Sequence, residues 1–250
     1  MIYIWVRATL DWKDEALVAA RLYPKFRQKV AMWNATFAMP YHAFRQRLKE
    51  IAAANLARVE RAKIVALDEV PAGALVVPVD DDDWFAPDLC QRLEQAFEPG
   101  LSGYYWIRNM LEAPEPKQTL KGWLRARQPL VLGPNARQGR HICGTNNYAV
   151  ANDPGMHEVA KGHMAACRFF DENPARVKRL PLTLSLQNRN LSSRTALAWQ
   201  RPTISREELL RAHRRYCRLY SRVQLAEGLA WAASYIDEVG ELTRELTLVD

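Results

Sequence analysis

The chain has 250 residues and a mass of 28.7 kDa, enough for one large domain or a domain with an appended helical tail. Apolar residues make up 48% and charged residues 25%, which excludes a disordered, collagenous or repeat-only chain. Lys and Arg number 35 against 28 Asp and Glu; the net charge of +7 favours anionic partners such as nucleotide phosphates, nucleic acid or an acidic membrane surface.

Residues 2–8 (IYIWVRA) are β-branched and aromatic and predict a buried strand. The stretch 14–62 has a helical pattern, with Phe44, Leu48, Ile51, Leu56 and Val59 at three-to-four spacing. Strands are expected at 63–67 and at 74–79 (ALVVPV), the second apolar throughout, as burial on both faces requires. Residues 87–97 predict a helix opened by Pro87, with Leu89, Leu93 and Phe97 four apart. Further strands are expected at 103–110, 129–132, 142–150 and 180–186, with a helix from Asp153-Pro154 to about Phe170. Alternating strands and helices favour a layered α/β sandwich.

From Ser205 the chain turns helical, Ser205 and Glu208 fitting a capping box. Leu209, Tyr216, Leu219, Tyr220 and Val223 supply an apolar side, while Arg211, Arg215, Arg218 and Arg222 are spaced to share another. Between positions 173 and 222 there are 12 Lys/Arg against Glu207 and Glu208, a local +10 that exceeds the whole chain's +7. The positive charge is therefore concentrated in this part of the sequence.

Cys90, Cys143, Cys167 and Cys217 are scattered with no C-x-x-C spacing, which argues against a disulfide framework or structural zinc and for a reducing cytoplasm. The amino terminus lacks a basic segment followed by an apolar one. No stretch approaches the roughly 20 apolar residues of a spanning helix. A cytoplasmic protein is expected, with peripheral contact to the inner face of a membrane as the option its basic helix leaves open.

The run Asp80-Asp81-Asp82-Asp83 at the end of an apolar strand is electrostatically costly unless a divalent cation or donor N–H groups receive it. Hard oxygen ligands suit Mg2+ or Mn2+, and ligands of open α/β sheets settle beyond the carboxyl ends of the strands. Continued strand alternation would point Asp81 and Asp83 to one side, Asp80 and Asp82 to the other. The bland alternative is a solvated acidic turn capping the next helix.

The stretch VVPVDDDDWFAPDL resembles the signature of glycosyltransferases with the GT-A fold, especially family-2-like and rhamnosyltransferase-like members. In these an apolar strand ends in a D-x-D motif followed by a proline and a helix. The resemblance continues weakly in Gly144-Thr145-Asn146-Asn147-Tyr148-Ala149, similar to the family's G-x-N-x-A strand near the acceptor, and in Phe170-Asp171-Glu172, similar to its F-D-E segment. It implies a three-layer α/β/α sandwich of GT-A type over residues 1–203, with a basic helical extension over 204–250 packed on it. It also implies Mn2+ or Mg2+ bridging the diphosphate of a nucleotide-sugar, with Asp81 and Asp83 as the D-x-D carboxylates. His163 is a further metal candidate. Arg7, Asp80, Asp81, Trp84, Asn146 and Asn147 are the candidates for holding the donor or acceptor, and Asp171 for the general base. Each has an ordinary structural role beside it: a snorkelling arginine, a buried aromatic, a strand-end amide, a turn before Asn173-Pro174.

The leading expectation is a metal-dependent glycosyltransferase acting on a saccharide or lipid-linked acceptor. Its rival is a non-catalytic GT-A-like binding protein whose arginine-rich tail docks on an anionic partner. A metal-dependent nuclease or nucleotidyltransferase lacks both a second spaced acidic cluster and a glycine-rich phosphate loop, and nucleic acid is not the expected partner.

Overall fold

The apolar run after Ala74 forms β3 (Leu75–Val79), with all five residues buried. Its parallel neighbour is β1 (Ile2–Val6), paired from Ile2 opposite Leu75 to Val6 opposite Val79. The computed structural model that gives these positions describes residues 2–6, 24–80, 82–113, 131–132, 146–153, 156, 159, 163–193 and 203–249.

Four more strands complete a mixed sheet: β2 (Lys63–Ile64), β5 (Gly103–Trp106), β8 (Tyr148–Ala151) and β9 (Val177–Leu180), in the order β2-β1-β3-β8-β5-β9. Only β8 runs against the others. Its ladder with β3 stops at Val76, so Pro78 lies where β3 is bare on that side, a position that tolerates a missing N–H. The carboxyl ends of β1, β3, β5 and β9 and the amino end of β8 thus lie along one edge. Because β2 and β3 flank β1 on opposite sides, the chain reverses its direction of winding at β1 and β3, where α/β sheets open a crevice.

Both faces of the sheet are covered. Ile2, Ile4, Leu75, Val77, Tyr104 and Trp106 pack on one side against Leu89, Cys90 and Leu93 of α3 (Leu89–Ala96). On the other side Tyr148 and Val150 pack against Ala166, Cys167 and Phe170 of α4 (His163–Glu172).

Two expected strands divide. The stretch 103–110 becomes β5 and β6 (Asn109–Leu111), and the stretch 180–186 becomes the end of β9 and β10 (Ser185–Asn188). Together with β4 (Trp84–Phe85) they build a second sheet, ordered β4-β10-β6. Each of these strands continues from the carboxyl end of a strand in the large sheet. Apolar continuity over 103–110 and 180–186 reflects burial in two successive sheets, which periodicity alone reads as one strand.

The second sheet is covered by helices. Trp84, Leu111 and Leu186 share a core with α1 (Pro24–Asn34), α2 (Tyr41–Leu56), α5 (Arg206–Tyr220) and α6 (Ala233–Arg244). Helices from the two ends of the chain therefore share one core with the second sheet. The capping box at α5 forms as the sequence indicates: Glu208 N–H donates to Ser205 Oγ at 3.2 Å and Ser205 N–H to Glu208 Oε2 at 2.9 Å. A short pair, β7 (Val131–Leu132) with β11 (Gln224–Leu225), ties the stretch after α5 to the middle of the chain. Among the described residues no helix is long and apolar enough to cross a membrane.

Candidate functional site

The acidic run follows β3 at the crevice edge, but not as an extended strand. Asp83 N–H donates to Asp80 C=O at 3.2 Å, closing a turn, so the alternation expected of the four side chains ends at Asp80. Asp81 lies outside the described residues, as does Arg7.

The two aspartates that follow have different employments. Asp82 Oδ2 accepts from Arg45 Nη1 at 2.7 Å and from Asn190 Nδ2 at 3.1 Å. Asp83 is 1% exposed, and its Oδ1 accepts the backbone N–H of Asn188 at 2.7 Å. That bond extends the antiparallel pairing of β4 with β10, in which Trp84 stands opposite Leu186. One carboxylate oxygen therefore satisfies a strand-end donor that would otherwise be buried and unpaired.

The turn is held from behind. Asn55 on α2 is fully buried and makes two bonds to the backbone of β4: its Nδ2 donates to Phe85 C=O at 3.0 Å and its Oδ1 accepts from Phe85 N–H at 2.8 Å. Asn190 is braced by Ser192, whose N–H and Oγ both donate to Asn190 Oδ1. Arg45, Asn55 and Asn190 were not singled out from the sequence. Arg45 and Asn55 did leave a signal: both are polar residues within the buried stripe of α2, beside Phe44, Leu48 and Ala52.

Across the crevice, Asn147 joins β8 to the end of β5. Its Nδ2 donates to Trp106 C=O at 2.8 Å, and Trp106 N–H donates to Asn147 C=O at 3.0 Å. These bonds satisfy a strand end. Asn146 is 1% exposed, and among the described residues neither atom of its amide has a hydrogen-bond partner. A buried amide so placed costs about 1–3 kcal/mol per unsatisfied group, which a polar ligand or ordered water would relieve.

Arg108, just beyond Trp106, adds a cation at this edge. Its Nη2 donates to Gln187 Oε1 at 3.1 Å, while its Nε is buried without a partner. Burial and the nearby Arg189 weaken its hold on a proton, and Asp83 among the neighbouring carboxylates strengthens it. Arg189 pairs with Glu112 at 3.2 Å. The carboxyl edge of the sheet thus carries an acidic turn, an arginine with an unpartnered Nε–H, and an unpartnered amide.

Two candidates are not brought to it as expected. Trp84 has no exposed surface and stacks on Tyr235 of α6, with ring centroids 5.9 Å apart, because its position in β4 faces the helical layer; it offers no face to a sugar or base. Asp171 is exposed on the last turn of α4, next to Phe170, which packs over Gly103 at the start of β5. That is the opposite end of the sheet from the acidic turn, so Asp171 cannot serve as a base there. His163 is the first residue of α4, and its side chain lies outside the described part.

Among the described residues no three His, Cys, Asp or Glu side chains gather as a metal cage. Mg2+ and Mn2+ sites of nucleotide enzymes need less, one or two carboxylates with the remaining positions left to water and phosphate. The turn that joins Asp80 and Asp83 carries only hard oxygen ligands, and this donor set fits such an ion; Asp82, held by Arg45, is withdrawn from it. Comparison with protein-family models, with curated proteins and with solved structures finds no match to this chain.

Proposed function

We propose that the chain is a glycosyltransferase of GT-A type that binds a nucleotide-sugar at the carboxyl ends of β1 and β3. One observation carries the reading: the acidic turn stands at the point where the sheet reverses its winding, and the same carboxyl edge carries Arg108, with an unpartnered Nε, and the unpartnered amide of Asn146. The resemblance of VVPVDDDDWFAPDL to the D-x-D signature supports it independently.

In this reading Asp80, Asp81 and Asp83 would hold Mn2+ or Mg2+, which would supply charge neutralisation for a diphosphate leaving group. Arg108 directs its spare Nε–H at an anionic oxygen of the donor. Asn146 hydrogen-bonds a hydroxyl of the donor or acceptor sugar. Arg45 keeps Asp82 out of the ligand set and reduces the repulsion within the acidic run.

A second reading has its own support. With Asp171 at the far end of the sheet, no general base is assigned at the turn, which suits a protein that binds a nucleotide-sugar without transferring it.

Thermal unfolding with UDP, GDP, dTDP and their sugar conjugates, with and without Mn2+, tests the proposal. One nucleoside diphosphate should raise the transition temperature only when metal is present, and Arg108→Ala should abolish the shift. If no diphosphate stabilises the chain under either condition, both readings fail. Metal-dependent binding without release of sugar from any conjugate, to water or to a saccharide, selects the second.

A further inference from the structure

We propose that Glu112, across the second sheet from the acidic turn, is the general base for sugar transfer, a role that rests on the turn being a nucleotide-sugar site. The pleat of this sheet separates two faces. Leu111 and Leu186 are buried with Trp84 against the helices. Arg108, Met110, Glu112, Gln187 and Arg189 alternate with them along the chain, and all five are half-buried, so they keep contact with solvent.

Register lays out that open face. The order β4-β10-β6 puts β10 in the middle. Arg189 N–H donates to Leu111 C=O at 2.9 Å, which continues the ladder of β10 with β6 and brings Arg189 beside Glu112. Arg189 Nη1 then donates to both oxygens of Glu112, at 3.3 and 3.2 Å. On the other side of β10, Asp83 Oδ1 accepts from the backbone N–H of Asn188 at 2.7 Å. The two carboxylates are thus anchored to consecutive residues of one strand from opposite sides. The strands that carry them are two spacings apart, about 10 Å. Arg108 reaches from β6 to Gln187 on β10 and feels the charges of Asp83 and Glu112 alike.

This layout suits an in-line displacement. A diphosphate held at the turn departs on the β4 side, and the acceptor hydroxyl enters on the β6 side. The Glu112 side chain keeps 30% of its exposure, and a carboxylate has about four lone-pair sites, of which Arg189 takes two. A free oxygen lone pair of Glu112 accepts the hydroxyl proton as the acceptor oxygen bonds to the anomeric carbon. The anomeric C–O bond breaks, and its electron pair leaves on the diphosphate. Attack from the side opposite the leaving group inverts the anomeric centre. Arg189 acts as a positioning residue, holding the carboxylate on the open face.

The test uses whichever sugar conjugate stabilises the chain with Mn2+, offered water, a panel of saccharides and azide as acceptors. Azide has no proton to give up, so its attack needs no base. Glu112→Gln should keep the rise in transition temperature caused by the diphosphate with Mn2+, since its amide oxygen still accepts from Arg189. It should lose transfer to water and saccharides by about 100- to 10,000-fold, yet keep its reaction with azide. Proton NMR should show the inverted anomer in the wild-type product. The assignment of Glu112 is overturned if the variant transfers to saccharides as wild type does, if its azide reaction falls in the same proportion, or if the anomeric configuration is retained. A wild-type chain that binds a diphosphate but releases none to any acceptor also overturns it, and leaves the binding reading standing. If no diphosphate binds, both fall together.

Discussion

Arg45 Nη1 and Asp82 Oδ2 meet at 2.7 Å across 37 residues of sequence, joining α2 to the acidic turn. The side chains retain 10% and 15% of their exposure, so the pair, with Asn190 on Asp82, stands in for much of the lost hydration. Arg45→Met should destabilise the chain by about 2–3 kcal/mol, short of the full cost of breaking a buried pair because both groups keep some solvent. Asp82→Asn should cost less, since its amide oxygen still accepts from Arg45. Urea unfolding of both variants and of the double mutant measures the coupling; strict additivity would deny the pair any energetic role.

Asn55 fixes the backbone of β4 through both ends of its amide. Asn55→Ala should cost about 2–4 kcal/mol, since it strands the N–H and C=O of Phe85 in the core. Asn55→Asp should cost at least as much near neutral pH, since it buries an unpaired charge against the Phe85 C=O. Equilibrium unfolding ranks the three.

For the proposed metal, Asp81→Asn and Asp83→Asn should each weaken Mn2+ binding at least about tenfold, or about 1.4 kcal/mol. Asp83→Asn should still fold, because its amide oxygen can accept the Asn188 N–H. Calorimetric titration with Mn2+ and a diphosphate present reads the effect, and unchanged affinity in both variants removes the turn from the metal assignment.

Gly103 lies against the ring of Phe170. A Cβ added there would come within 2.5 Å of Phe170 Cε1, a contact the ring must move to avoid. Gly103→Ala should destabilise by about 1–3 kcal/mol through overpacking. Phe170→Leu in the same chain should recover part of that loss, and thermal unfolding of the single and double variants tests the compensation.

His213 joins α5 to α6 through Nε2 and Thr243 C=O, 2.8 Å apart. Burial holds its imidazole below the ordinary value of 6.5. The unfolded chain therefore takes up a proton at higher pH than the folded chain. The contribution is fully present above pH 6.5 and declines as pH falls from there through the lower folded value. Unfolding free energies measured from pH 8 down to 5 should drop more steeply for wild type than for His213→Gln. Equal slopes would show that His213 is not the group responsible.

The sequence by itself determined what local chemistry controls. An apolar run followed by charge marked β3 and its abrupt end, since adjacent carboxylates cannot extend a strand buried on both faces without partners to receive them. Ser205 and Glu208, three apart before an amphipathic stretch, fixed the start of α5. Spacing was enough for these because each depends on neighbours within a turn or a strand. Tertiary structure alone decided which groups share the crevice. Asp82 finds Arg45 only because α2 packs beside β4, and Trp84 is buried only because the helices from both chain ends close over the second sheet. Asp171 was a candidate base because Phe170-Asp171-Glu172 resembles an F-D-E segment, yet α4 returns the chain to the start of β9 and leaves that carboxylate at the other end of the sheet. Strand direction and layer order arise from contacts far apart in sequence, which no local spacing records.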